Sequence, residues 1–302
     1  MSRNWGRSAI SPGGSSRSAH PARNSTPTPF SRAAAASLVV LGLIALACVA
    51  GPWLAPHSAE ALDFERIAAQ PALEGGHWFG TDNVGRDLFA RTLEGGRVSL
   101  LVGLLATLVS VVIGVAWGAV AGYFGGRVDA LMMRAVDILY ALPFVFLVIL
   151  LMVLFGRHFA LVFVAVGAIN WLDMARIVRG QTLSLRRREF VDAARLAGLP
   201  PLAIIRAHIV PNLLGVVVVC ATLTVPQVIL IESFLSFLGL GVPEPATSWG
   251  VLVNDGAADM EAAPWALLFP AGFLVTTLLC LNFLGDGLRE VLDPVGAAHG
   301  RD

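Results

Sequence analysis

Six times along the chain, apolar residues run for about twenty positions with few interruptions, and polar or Gly- and Pro-bearing stretches separate the runs. An α-helix needs roughly 20 such residues to cross the hydrocarbon core of a bilayer. The pattern therefore predicts spans at 33–54, 98–123, 132–155, 159–177, 213–231 and 265–284. The fourth is the least apolar, because Asn170 and Asp173 fall in its second half. Neighbouring helices can cover such a span. The expected class is all-α, a polytopic membrane protein with six transmembrane helices. Its parts are a disordered leader 1–32, a first helix 33–54, an external loop 55–97, a five-helix core 98–290 and a tail 291–302.

Composition agrees with the pattern and adds exclusions. Hydrophobic residues make up 56% of the chain and charged residues 14%, with a mean hydropathy of +0.74, more apolar than a soluble domain. Every one of the 21 basic residues is arginine. Without lysine the chain has neither a phosphate-binding Walker lysine nor a Schiff-base amine, so it cannot itself be a P-loop ATPase. Cys48, Cys220 and Cys280 lie singly in separate apolar runs, as inert buried thiols do. The segment ending at Cys48 resembles a lipoprotein cleavage box only loosely. The leader is rich in Ser, Pro and Arg and is longer than the basic region of a signal peptide.

Net charge is zero, yet the charges are segregated. Arg3, Arg7, Arg17, Arg23 and Arg32 stand in the leader without an acid, and Arg179, Arg186, Arg187, Arg188, Arg195 and Arg206 follow the fourth span. Basic flanks are retained in the cytoplasm. The stretch 232–264 carries Glu232, Glu244, Asp255, Asp259 and Glu261 and no arginine, and 55–96 is mixed and mildly acidic. With six spans, both termini and the arginine-bearing segment are expected in the cytoplasm and the two long loops outside.

In the second span Ser110, Gly114, Gly118 and Gly122 recur every fourth residue, the spacing of a helix face that lets a neighbouring backbone approach closely. Near the inner ends of the third and fourth spans, Arg134 with Asp137 and Asp173 with Arg176 stand three residues apart and are expected to neutralise one another locally. Asn282 and Asp286 suit helix–helix hydrogen bonding, and Pro143, Pro226, Pro264 and Pro270 are expected to start or kink helices.

The segment 179–209 is the chain's one sizeable charged stretch of the arginine-rich side. Phe190, Ala194 and Ala197 are helically spaced, with Val191, Ala193 and Gly198 beside them and Arg186, Arg187, Arg188, Asp192 and Arg195 on the flanks. Gly198 supplies a helix-ending left-handed position, and Pro200 with Pro201 forces a corner and presets a second helix. That helix is expected to present Leu202, Ile205 and Ile209 on one side, with Arg206 and His208 elsewhere, and to stop at Pro211. The result would be an elbow joined directly to two spans, with a smooth face suited to a partner's groove. The same pattern could lie on anionic headgroups, although lipid-binding helices present Leu, Phe and Trp rather than Ala.

These residues carry a resemblance. Asp192, Ala193, Ala194 and Gly198, closed by Val210 and Pro211, are similar to the Glu-Ala-Ala loop of ABC-transporter permease subunits. Asp replaces the usual Glu, and His208 stands where the general pattern has an aliphatic residue. The stretches 79–100, 129–143 and 233–250 resemble corresponding segments of the dipeptide and oligopeptide importer branch, in particular its C-type permease. The resemblance spans about 79–294. It implies a type-1 importer permease fold in a bacterial inner membrane, with the elbow from Glu189 to Pro211 as a cytosolic coupling helix. It further implies a paralogous permease as heterodimer partner, two ABC ATPase subunits that use ATP and Mg, and an extracytoplasmic solute-binding protein delivering peptides or related small solutes. No cofactor, metal or nucleic acid is expected on this chain. The turn 79–87 and the acidic loop from Glu232 to Glu261 become candidates for touching the binding protein.

Two other classes compete. An intramembrane enzyme, a protease or acyltransferase using Ser, His or Asp, would need a base in the bilayer, but His20, His57, His77, His158, His208 and His299 all lie outside the apolar runs, and neither HExxH nor GxSxG occurs. A secondary transporter relaying protons or ions through Asp137 and Asp173 would account for the spans and not for the elbow.

Overall fold

The computed structural model describes residues 32–156 and 159–292. The leader except Arg32, the end of the tail, and His20, His158 and His299 lie outside these described residues. Among the described residues all extended regular structure is helical, and strand pairing is limited to the isolated bridges Leu62–Arg86 and Thr81–Asp87. Four helices among these residues are long and apolar enough to cross a membrane, or five when one bent pair counts as a single span.

The first helix, α1 (Arg32–Leu54), matches the first apolar run. Helix α2 (Leu88–Phe124) begins ten residues before the apolar run does. Its start is fixed by Asp87, whose carboxylate accepts from the Ala90 amide at 2.7 Å. It stops at Gly125, whose φ of 64° opens the turn into α3 (Gly126–Ala141). The third expected span is not one helix. Leu142 is extended, Pro143 caps α4 (Phe144–Phe155), and the two helices meet at 86°. Proline lacks an amide donor and pushes the preceding residue out of the helical region, which breaks the run here.

Helix α5 (Phe159–Leu185) continues well past the apolar stretch and carries Arg176 and Arg179 with it. It is not among the helices counted as apolar spans, and the side chains at its start lie outside those described. The elbow follows as α6 (Glu189–Leu196), α7 (Pro201–Ile204) and a π-helical turn (Ile205–Ile209) that flows into α8 (Val210–Phe237). The expected stop at Pro211 does not occur. A widened turn, in which the Val210 amide bonds to the Ile205 carbonyl, absorbs the missing donor, and the Asn212 side chain donates to the His208 carbonyl at 2.6 Å. The helix from Pro201 to Phe237 is therefore continuous, 37 residues long.

Helix α9 (Trp249–Ala258) packs across the ends of α2, α8 and α10 (Pro264–Leu292) that lie away from the elbow. Closest of all is the pairing of α2 with α5. Ser110, Gly114, Gly118 and Gly122 are buried, and a Cβ at Gly118 would lie 2.4 Å from the Ala175 carbonyl oxygen. One at Gly122 would lie 2.6 Å from the Thr182 Cβ. The cores follow the two ends of the bundle. Tyr123, Met174, Val178 and Leu213 join the elbow's Val191, Ala194, Ile204, Ile205 and Ile209 at one end, while Cys48, Leu93, Ile229 and Trp249 meet near the other.

Candidate functional site

The elbow is held from below by its own apolar side chains. Val191 and Ala194 of α6 and Ile204, Ile205 and Ile209 beyond the corner are buried. Hydrogen bonds fix the corner: the Ala197 amide donates to Ala193 at 2.9 Å, Gly198 to Arg195 at 3.0 Å and Leu199 to Ala194 at 3.2 Å. Gly198 has φ 78° and open space where a side chain would point, so glycine meets the backbone requirement there.

Its outward face differs from the expected smooth alanine stripe. Ala194 is turned into the bundle, whereas Glu189, Phe190, Asp192, Ala193, Ala197 and Gly198 are exposed. Leu196 is 90% exposed, and Leu202, expected on one side with Ile205 and Ile209, is 69% exposed while those two are buried. Pro211 is exposed at the base of α8. Asp192 accepts from Arg195 at 2.9 Å in an exposed pair of the kind worth about 0–1 kcal/mol. The Arg195 guanidinium also lies 5.3 Å over the Tyr123 ring, tying α6 to α2.

Ionic contacts in the same region link different helices. Arg179 forms a bidentate pair with Asp129 of α3, at 2.5 and 2.6 Å. Arg176 donates to Asp137 at 2.8 Å and sits over the Tyr140 ring at 4.3 Å. Among the described residues no ion pair joins Arg134 to Asp137 or Asp173 to Arg176, so the expected local pairs are replaced by cross-helix pairs between α3 and α5. The reason is the extension of α5, which brings its arginines level with α3. Arg186 donates to the carbonyls of Gly122 and Tyr123 at 3.1 and 3.4 Å, capping the end of α2.

At the opposite end, polar groups are spent internally. Asp82 accepts from the amides of Val84 and Arg86 at 3.0 and 2.8 Å, from Arg86 Nε at 2.8 Å and from Arg91 Nη1 at 2.5 Å. Arg91 is buried and also faces Asp255 at 3.8 Å. Burial works to raise the Asp82 pKa, but the hydrogen bonds from Arg86, the charge of Arg91 and the Val84 amide outweigh it and hold the carboxyl below its usual range. Asp255 is pushed up by burial against the pull of Arg91 and Arg86. Asp87 caps α2 and takes the His77 ring at 2.8 Å.

Glu232 departs most from expectation. It is not part of an external loop: it sits within α8 at 0% exposure, among hydroxyls of Ser99, Ser236 and Ser248. Of the expected outer acids, Glu244 and Glu261 remain exposed. Sequence reasoning passed over Ser99, Ser248 and Asp129; an acid set in the apolar run of α8 with a serine four residues on was the available signal. Among the described residues no group of three or more His, Cys, Asp or Glu side chains could hold a metal ion.

Comparison with known proteins matches residues 114–295 to the family described as binding-protein-dependent transport system inner membrane component. Residues 31–71 match the N-terminal TM domain of oligopeptide transport permease C. The chain is 57% identical over 263 residues to the oligopeptide transport system permease protein OppC of Escherichia coli K12, covering 87% of each chain. Identity to the protein of the same name from Haemophilus influenzae is 56% over 263 residues, 87% of this chain and 85% of that one. To the dipeptide transport system permease protein DppC of Bacillus subtilis it is 47% over 262 residues, 86% of this chain and 81% of that one.

Proposed function

Given that the chain belongs to the family of binding-protein-dependent transport inner membrane components, we propose that it is the C-type permease of an ATP-driven importer of di- and oligopeptides. The relatives named above are peptide permeases, and this supports the choice of cargo. Six crossings follow if α3 and α4 together count as one and α5 as another. Both termini are then cytoplasmic, as the arginine distribution favours. A paralogous permease completes the pathway, an extracytoplasmic binding protein delivers solute, and two ATPase subunits supply the work with ATP and Mg.

The single observation that carries the coupling role is the two-sidedness of the elbow. Its inner side is anchored in the bundle core, while Leu196 and Leu202 are left bare beside Asp192, Ala193, Gly198 and the flanking arginines. On the water side of a membrane protein, large bare apolar side chains mark a protein contact. A groove on the ATPase that receives Glu189 to Leu202 would convert its closure into tilt of α5 and of the helix ending in α8, which the elbow joins.

Reconstitution tests the whole reading. Vesicles containing this chain, its permease partner and the two ATPases should accumulate a tetra-alanine peptide only with binding protein outside and ATP inside. Uptake by this chain alone, driven by a proton or sodium gradient, would favour a secondary carrier.

A further inference from the structure

The outer end of α8 holds a carboxylate in a setting that membrane proteins ordinarily avoid. Glu232 is fully buried, and among the described residues no arginine forms an ion pair with it. Its partners are three hydroxyls on three helices or their caps. Ser236 of α8 donates to Oε1 at 2.8 Å, Ser248 at the start of α9 donates to Oε1 at 2.7 Å, and Ser99 of α2 donates to Oε2 at 3.3 Å. A buried acid without a counter-ion costs several kcal/mol unless it is well solvated by the protein, so its retention calls for a role.

The direction of two of the three bonds follows from their neighbours. The Ser248 oxygen accepts from the Val251 amide at 3.2 Å as the N-cap of α9, and the Ser99 oxygen accepts from the Trp249 amide at 3.1 Å. Each hydroxyl has a single proton, and in both cases it is directed to Glu232. The carboxylate thus gathers the first turn of α9, the outer part of α2 and α8 into one junction. The Trp249 indole completes it by donating to the Thr92 carbonyl at 2.9 Å. A Cβ at Gly250 would lie 2.5 Å from the Ser233 Cα, so α9 and α8 are pressed backbone to backbone at this point.

Glu232 is also joined, without a break in the helix, to the elbow. From Ile209 to Glu232 the helix rises about 35 Å at 1.5 Å per residue, and Pro226, the residue most able to flex it, is buried. We propose that Glu232 is a positioning residue that locks α9 to α8, so that movement of the elbow on the inside is reproduced by α9 on the outside. This inference rests on the importer reading above. It gives the transporter a mechanical route by which an arriving binding protein, pressing near α9, is felt at the ATPase contact. Because α9 is short and lies across three helix ends, a tether at its first turn suffices to make it follow α8.

The test uses the complete complex in vesicles with ATP inside, the binding protein outside and tetra-alanine as the probe solute. ATP hydrolysis is measured with and without the loaded binding protein for wild type, Glu232→Leu, Glu232→Gln and Ser248→Ala. Leucine fills the site, and serines in helices can return their protons to carbonyls one turn back. We expect the complex to assemble and hydrolyse ATP slowly in every case, with stimulation by the binding protein falling at least tenfold in Glu232→Leu and a fewfold in the other two. A residue that merely stabilises the fold would lower basal and stimulated rates together, and that result, or unchanged stimulation, overturns the proposal. Should Glu232→Leu not assemble, the stimulation ratio in Ser248→Ala and Glu232→Gln decides in the same way. If wild type itself shows no stimulation by the binding protein, the importer reading fails first and this inference with it.

Discussion

The two ends of this bundle treat polar and apolar groups in opposite ways. At the end that the importer reading places outside, Asp82, Arg91 and Glu232 are buried and their hydrogen bonds are closed within the chain. At the end that it places inside, the elbow's charges are exposed and its apolar side chains are divided, Val191 and Ile204 inward, Leu196 and Leu202 outward. A region that satisfies its own groups is complete as it stands, whereas one that leaves large apolar groups bare in water is finished by a partner. On the importer reading proposed above, the first of these ends is a rigid platform and the elbow end a docking surface.

The largest expected effect breaks the platform. Arg91→Leu removes the buried cation between Asp82 and Asp255; Asp82 keeps Arg86 and two amides, so the cost is that of a lost charge-assisted hydrogen bond, about 3 kcal/mol at most. Thermal unfolding in detergent should show a large drop, and an unchanged midpoint would mean that the outer network is not structural. Next comes the docking surface. Gly198→Trp places an indole on the corner where the backbone has open space; the protein should insert in the membrane, while ATPase association weakens about 100-fold, or ~2.7 kcal/mol, and uptake is abolished. Retained uptake in that variant would argue against a role for the corner.

Smaller again is the seam joining the two ends. Gly118→Ala would force a methyl to within 2.4 Å of the Ala175 carbonyl oxygen, and overpacking of this sort costs about 1–3 kcal/mol. Stability of α2 against α5, read by thermal unfolding, should fall while the elbow's affinity for the ATPase is affected less. The smallest effect is a pH slope. The Asp82 pKa is lowered from 3.8 in the folded protein, so its stabilisation is full above that value and is lost as pH falls through the lower folded value. Asp255 acts in the opposite sense: its pKa is raised by burial, so folding gains stability as pH falls through the raised value towards 3.8. Wild type minus Asp82→Asn should therefore isolate a stability loss confined to pH below about 4, and a difference curve flat there would contradict the assigned pairing.

Much of the fold was legible because bilayer thickness imposes a length on apolar runs, and α1, α2, α8 and α10 follow it. Gly198, Pro200 and Pro201 announced the elbow's corner because each carries a backbone constraint that the other residues of the segment do not supply. Where the reading fell short, tertiary contacts had overridden local rules. Pro143 is the exception, a local rule at work: expected to start or kink a helix, it caps α4 and breaks a run that hydropathy alone joins. Pro211 failed to end a helix because a π turn took up the strain. Arg176 and Arg179 found acids on α3 rather than on their own helix because α5 extends beyond the membrane-length run. Glu232 was placed among loop acids by its charge, when only packing against Ser99 and Ser248 reveals that it is interior. The alanines at 193 and 194 read as one face, yet helical geometry turns Ala194 to the core and Ala193 to water.

A photo-crosslinking amino acid placed at Leu196 in the assembled transporter tests the docking surface most directly, with a second placed at Val84 on the platform as its control. The account predicts an adduct with an ATPase subunit from position 196 and none from position 84. If position 196 instead captures only lipid, or yields no ATPase adduct in a complex that hydrolyses ATP, the elbow is not where the motor grips.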